Sequence, residues 1–276
     1  MINKIKEVLN SENIALSVFY PLEKCIIKKK YLLERAGIDS GFAVIFAIPY
    51  YTRACDGNKN ISAYAVSRDY HLYVKELEAR IIPKLKGLYP DVNFALFADH
   101  SPIDERDAAV RAGLGIFGKN GLIITKQYSS YVFLSELIVG APLPEGAYTE
   151  RDPQGCENCG LCQKSCPYFS GECDECFSAI SQKKGDLTNE EKALIKKYGA
   201  WGCDICSEVC PHTKEAKASG SIYSPIEFFN TEVTPLLTHD GIEKMSDEDF
   251  SARAYSWRGR ETILRNLKVV ENSDTE

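Results

Sequence analysis

Apolar residues gather into a few short runs in the first half of the chain, and charged, glycine-punctuated segments separate them. Residues 41–50 (GFAVIFAIPY) and 92–99 (VNFALFAD) are nearly continuous apolar runs of strand length, the pattern of strands covered on both faces. Between them, residues 62–88 carry apolar side chains at three- and four-residue spacing and lack glycine until Gly87. That spacing predicts a long helix, kinked at Pro83. Residues 104–112 predict a short helix, and 122–125 and 130–139 predict further strands. Strand, helix, strand places the chain in the α/β (α+β) class, with a sheet of mixed strands flanked by helices. The Pro/Gly stretch at residues 141–146 (APLPEG) reads as a connection. The expected division is a first domain over 1–145, a cysteine-rich module over 146–220, and a C-terminal helical segment over 221–276 that packs on the core.

Composition adds limits. A chain of 276 residues with 44% hydrophobic and 26% charged residues has the make-up of a globular protein large enough for a sizeable core. No apolar run approaches the ~20 residues that span a bilayer, so no membrane association is expected. A net charge of -6 does not advertise a nucleic-acid binder. The N-terminal MINKIKEVLN shows no apolar stretch before a cleavage site, and the expected setting is a reducing cytoplasm.

The cysteines carry the clearest chemistry. Cys156, Cys159, Cys162 and Cys166-Pro167 follow the spacing C-x2-C-x2-C-x3-CP, and Cys203, Cys206 and Cys210-Pro211 form a second, shorter set. This is the bacterial ferredoxin pattern, in which the thiolate before proline ligates the other cluster of a pair. The expected assignment joins Cys156, Cys159 and Cys162 with Cys210 on one [4Fe–4S] cluster, and Cys166, Cys203 and Cys206 on another. The second set is one thiolate short, and Cys173 and Cys176 are both candidates to complete it. Paired C-x2-C units also bind zinc, but a triple step followed by CP is poorly explained by one four-ligand metal. Cys25 and Cys55 stand alone and read as buried bystander thiols.

Other polar residues are less specific. Asp99 and His100 end an apolar strand, where open α/β sheets place ligands, although an Asp before Ser-Pro also caps helices or forms turns. In the segment RAGLGIFGKNG, residues 111–121, clustered glycines allow the backbone to approach a bulky ligand. It is not a P-loop, since no Ser or Thr follows Lys119. Trp201 and Trp257 read as core or cluster-shielding aromatics. Two basic clusters, Lys24, Lys28, Lys29, Lys30 and Arg35, and Arg253, Arg258, Arg260, Arg265 and Lys268, are either phosphate contacts or solvated helix faces.

The order DHSPIDER, AGLGIFGKNGLIIT, YSSYVFLSELIVGAPL, CENCGLCQKSCP, ECFSAISQKKG, WGCDICSEVCPH and WRGRETILRN resembles that of the epoxyqueuosine reductases over roughly residues 43–270. The resemblance implies a cobalamin-binding reductase fold, followed by a ferredoxin-like module with two [4Fe–4S] clusters, that reduces the epoxide of epoxyqueuosine in tRNA to the alkene of queuosine. It implies Asp99 as proton donor, its acidity weakened by burial against the corrin, with Glu105 and Arg106 as supports. Gly113, Gly115, Gly118, Lys119 and Asn120 are implied to lie against the corrin, with Ser129, Ser130 and Tyr131 near the same pocket. It selects Cys176 over Cys173 as the remaining ligand, and sets residues 68–71 facing the reaction site. An external low-potential electron donor is expected. Many members carry a C-terminal helical-repeat extension, and the expectation here is a short form without it, with tRNA as the implied partner. The alternatives are a corrinoid and iron–sulfur reductase of a small molecule, and a ferredoxin-type electron carrier without its own catalysis.

Overall fold

The computed structural model describes residues 1–168 and 176–272, and Cys173 lies outside the described residues. The chain divides into two compact units, one made of Met1–Pro49 and His71–Asn158, the other of Tyr50–Tyr70 and Cys159–Glu276.

The first unit is built on four strands, β1 (Ser17–Pro21), β2 (Phe42–Pro49), β3 (Phe94–Phe97) and, after two short ones, β6 (Val132–Val139). Their spatial order is β1-β2-β6-β3, and every ladder is antiparallel. The expected mixed sheet differs in one respect. β2 and β3 do run the same way, but β6 lies between them and pairs with both in the opposite sense, so no parallel ladder forms. β1 had no clear signal, because SVFYP is short and contains both Ser and Pro. Two-residue strands β4 (Ile116–Phe117) and β5 (Ile123–Ile124) pair as a hairpin.

The unit's helices are α1 (Ile2–Ser11), α2 (Lys30–Ala36), α3 (Tyr70–Leu88) and α4 (Glu105–Arg111). α3 begins eight residues later than its spacing suggests and runs through Pro83. Tyr73, Leu77, Ile81 and Leu85, one turn apart, are all buried. On β2 every residue from Phe42 to Ile48 is fully buried, so both faces of the sheet are covered. One face packs Ala43, Ile45, Ala47 and Ile138 with Ala108 and Ala109 of α4 and Leu33 of α2. Asp104 caps α4, its Oδ1 accepting from the Asp107 N–H at 3.2 Å.

The second unit is helical: α5 (Leu161–Ser165), α6 (Phe177–Ser181), α7 (Asn189–Tyr198), α8 (Ile205–Glu208), α9 (Pro211–Ala218), α10 (Glu227–Asn230), α11 (His239–Lys244), α12 (Asp247–Ser251) and α13 (Arg260–Glu271). A reciprocal capping box, Thr188 with Glu191, starts α7. Phe177, Ile180, Leu187 and Ile195 form a small core against which Cys203 and Val269 pack. The fully buried Asn266 of α13 donates to the carbonyls of Ser181 and Ala200 at 2.6 and 2.8 Å, tying three segments together.

No described helix is long and apolar enough to cross a membrane.

Candidate functional site

In the first unit the chemistry gathers where β3 ends. Asp99 adopts the left-handed backbone conformation, φ +57°, which Asp tolerates better than most residues. Its side chain is 65% exposed, and Oδ2 lies 3.6 Å from Nε2 of His71. The helix cap that Asp99 was weighed against is supplied by Asp104 instead. The neighbouring His100 imidazole is engaged by the Tyr31 hydroxyl at Nε2 (2.7 Å) and by Lys29 at Nδ1 (3.1 Å). The protein alone therefore does not bury Asp99, and any desolvation of its carboxyl has to come from what binds over it.

The glycines of the 111–121 segment are explained first by the chain itself. A Cβ on Gly115 would come within 2.6 Å of the Ile124 carbonyl oxygen, and one on Gly113 within 2.8 Å of the Arg151 guanidinium. Gly118 is closed off by Asn120 and Leu122 in the same way. The exposed part of the β4–β5 hairpin is its tip, Lys119, Gly121 and Leu122, where a Cβ on Gly121 would meet nothing within 4 Å. Ser130 and Tyr131 are 6% and 1% exposed, so they support the unit from within. Arg106 Nη1 donates to the Gly121 carbonyl at 3.3 Å and joins the start of α4 to the hairpin. An open backbone at Gly121 beside exposed Lys119 suits a broad, flat ligand approached by main chain, which is the kind of contact a corrin makes.

The same hairpin reaches the first cysteine. The Phe117 N–H donates to the Gln154 carbonyl and the Cys156 N–H to the Phe117 carbonyl, at 2.8 and 2.9 Å. The Lys119 N–H then donates to the Cys156 sulfur at 3.3 Å. Backbone N–H bonds to thiolate sulfur are one of the means by which a protein sets cluster potential.

In the second unit three cysteines sit at helix starts, while Cys166 is the C-cap of α5. Cys176 and Cys210 are the N-cap residues of α6 and α9, and Pro211 occupies the first position of α9, where its missing N–H costs nothing. Cys206 lies in the first turn of α8. Burial is the main reason the Cys203 thiol is pushed up to about 12, and the Cys206 and Cys176 thiols nearby raise it further, against an N–H bond from Ile205. Three cysteines expected on one cluster thus lie close enough to feel each other's charge. Bound iron inverts this preference and holds the sulfurs as thiolates.

The described cysteines are all free thiols. Among the described residues no group of three or more His, Cys, Asp or Glu is set to hold a single metal ion. A donor set of half-buried and exposed thiols at ferredoxin spacing fits a cluster rather than a lone zinc.

Several residues escaped the sequence reading. Asp204, 8% exposed, accepts from Ser62 Oγ (2.5 Å), the Ala63 N–H (2.7 Å) and Lys59 Nζ (2.8 Å), fixing the loop between Cys203 and Cys206. The basic clusters are largely consumed internally. Arg253 and Arg260 donate to the Glu232 and Ile242 carbonyls at 2.6 and 2.5 Å, and Arg265 donates to that of Gly185, while Lys24, Lys28 and Lys30 pair with Glu150, Asp104 and Glu34. Trp201 is fully buried, whereas Trp257 is 58% exposed with the Arg258 guanidinium 3.7 Å from its ring centroid, so of the two alternatives, core or cluster shield, the core one does not hold for Trp257.

The largest surprise is a pair of carboxyls. Glu136 of β6 is fully buried and opposes Ile45 and Phe97 in the sheet. Its carboxyl meets that of Glu105, and burial drives both acids toward the protonated form. Glu105 is pushed up to about 7 by burial and then by the Asp99 charge. A carboxyl that holds its proton more tightly folded than unfolded contributes stability fully present below pH 4.5 and lost as pH rises to about 7. Urea unfolding across that range should show parent stability falling on the order of 3 kcal/mol relative to Glu105→Gln. Parallel stability curves for the two proteins would refute this.

No family model matches the chain. It is 32% identical over 218 residues to the epoxyqueuosine reductase of Bacillus cereus, covering 72% of this chain and 53% of that protein. The Pseudomonas aeruginosa epoxyqueuosine reductase is 32% identical over 222 residues, covering 76% and 59%. The chain thus spans little more than half the length of these relatives. The Streptococcus thermophilus epoxyqueuosine reductase structure superposes with a TM-score of 0.74 at 22% identity, covering 98% of this chain and 80% of that one. An epoxyqueuosine reductase solved with an epoxyqueuosine-modified tRNA-Tyr stem loop gives 0.69 at 22% identity, covering 98% and 81%. The chain is thus similar in sequence to epoxyqueuosine reductases over about three quarters of its length and shares the fold of solved ones over nearly all of it.

Proposed function

We propose that this chain reduces the epoxide of epoxyqueuosine in tRNA to the alkene of queuosine, using cobalamin and two [4Fe–4S] clusters in the cytoplasm. The reaction takes two electrons and two protons and releases water, so it needs an electron source that side chains do not provide. When bound, the corrinoid supplies the reducing centre and the clusters feed it single electrons from an external donor. The chain's own residues do the rest. Asp99 gives a proton to the leaving oxygen, the hairpin tip at Lys119–Gly121 lies along the corrin, and Cys166, Cys176, Cys203 and Cys206 hold one cluster. Cys156, Cys159, Cys162 and Cys210 are the ligands of the other. The observation that carries the reading is the exposed Asp99 carboxyl at the end of β3 in a chain that shares sequence with named epoxyqueuosine reductases.

The test is anaerobic reconstitution with iron, sulfide and cobalamin, followed by incubation with an epoxyqueuosine-containing tRNA stem loop and a strong reductant. Iron, a corrinoid spectrum and loss of one oxygen from the nucleoside are expected. Zinc in place of iron, refusal of cobalamin, or an unchanged nucleoside would sink it. One observation favours a second reading: net charge -6 and arginines already bonded within the protein suit a reductase of a small molecule. Binding of the stem loop that weakens steeply with added salt excludes that reading.

A further inference from the structure

The Glu105–Glu136 pair is an expensive feature with no structural need. An apolar residue at position 136 would complete the core face formed by Ile45, Leu134, Phe97 and Ile138, whereas an unpaired buried charge there is strongly destabilising. Neither oxygen of Glu136 nor Oε2 of Glu105 makes a close hydrogen bond. Ser101 Oγ on the same loop accepts from the Ile103 N–H at 3.0 Å and can turn its O–H toward Glu136, where it favours the charged form, but one hydroxyl does not serve two ionised carboxylates. A proton on one carboxyl makes it a donor to the other and resolves the conflict, so the native pair holds at least one proton. The charged or titratable groups around it are Asp99 at the end of β3, Asp104 and Arg106 at the start of α4, and the buried Cys25 thiol.

We propose that Glu105 and Glu136 are a proton store behind Asp99, in which Glu136 keeps its proton and Glu105 passes one to the Asp99 carboxylate and regains it from solvent. This rests on the reading of Asp99 as proton donor. The reaction consumes two protons at a site that the bound substrate covers, and Asp99 carries one at a time. In the relay the Glu105 O–H bond breaks as an O–H bond forms on Asp99, and no electrons move. The carboxylate left on Glu105 accepts the hydrogen bond of protonated Glu136, so at no stage do two ionised carboxylates face each other. Both glutamates act through Asp99 and are positioning residues.

The test is difference infrared spectroscopy of the reconstituted protein during a pH titration, which reads the C=O stretch of buried protonated carboxyls, joined to turnover of the tRNA stem loop against pH. Isosteric glutamines keep the core filled. The parent should lose a protonated-carboxyl band as pH rises through neutrality. Glu105→Gln should abolish that loss, Glu136→Gln should move it to lower pH, and Asp99→Asn should also move it down by removing a like charge. Turnover at neutral pH should fall about 100-fold in Glu105→Gln, lose its pH dependence, and be largely restored by Glu105→Asp. Parent-like turnover and pH profile in Glu105→Gln, or a band unmoved in Asp99→Asn, overturns the proposal. If the parent itself fails to convert the stem loop, the substrate reading falls, and the infrared response to Asp99→Asn still decides for or against the store.

Discussion

Asp99→Asn is expected to keep the iron and corrinoid spectra of the parent and to lower turnover of the tRNA stem loop by about 10²- to 10⁴-fold, the range general acids contribute. The local structure makes this a clean experiment. Asn occupies the left-handed backbone region at least as readily as Asp, so the φ of +57° is retained. The side chain is 65% exposed, and its contact with His71 spans 3.6 Å, beyond hydrogen-bond range. An exposed ion pair of that geometry contributes little to stability. Asn matches Asp in shape but has no carboxylic proton to give, so a loss of rate with intact cofactors and unchanged unfolding isolates proton donation. Turnover within a few-fold of the parent, measured anaerobically with the same reductant, would remove Asp99 from the chemistry and return the site to electron transfer alone.

The sequence made some of this legible and hid the rest for identifiable reasons. β2, β3 and β6 announced themselves because a strand covered on both faces needs an uninterrupted apolar run, and FAVIFAI at 42–48 is one. The start of α3 was misplaced because Ala63, Ala65 and Val66 also sit at helical spacing. They serve instead in a short turn at Ala63–Ala65, and the Ser62 N–H donates to the Trp201 carbonyl at 2.7 Å, a partner far along the chain. Cysteine spacing is a local code and needs no tertiary knowledge. Asp204 and Glu136 are the opposite case. An Asp between two cysteines and a Glu within SELIV look like surface residues until the donors and the second carboxyl arrive from elsewhere. For Glu136 a signal did exist: Leu134 and Ile138 share its parity on β6 and both lie in the core cluster, so alternation alone puts the carboxyl inside. In the glycine-rich segment the chain's own packing adds a requirement that composition does not reveal: Gly113, Gly115 and Gly118 are needed for contacts within the hairpin and with Arg151, while the tip at Gly121 stays open.

Cys176→Ser is expected to cost the protein one complete cluster, halving iron per chain and removing the magnetic coupling between two reduced clusters from the electron paramagnetic resonance spectrum. A cubane cluster is stable with thiolate at every iron, and a serine hydroxyl ionises far less readily than a thiol. Cys176 starts α6, and its thiol is near enough to Cys203 to act on it electrostatically. Cys25 and Cys55 provide the contrast. Both are buried, and burial raises both thiols, Cys25 to about 12, so their replacement by serine should leave iron content unchanged. Cys173→Ser completes the comparison: full iron in Cys176→Ser with half in Cys173→Ser would exchange the two assignments. The expected pattern also separates the protein's two jobs. With one cluster gone the chain should still bind cobalamin in its first unit, because the hairpin and Asp99 are untouched, yet turnover should vanish because electrons no longer reach the corrinoid. Retention of turnover with half the iron would mean that a single cluster suffices, and that the second set of thiols serves structure instead.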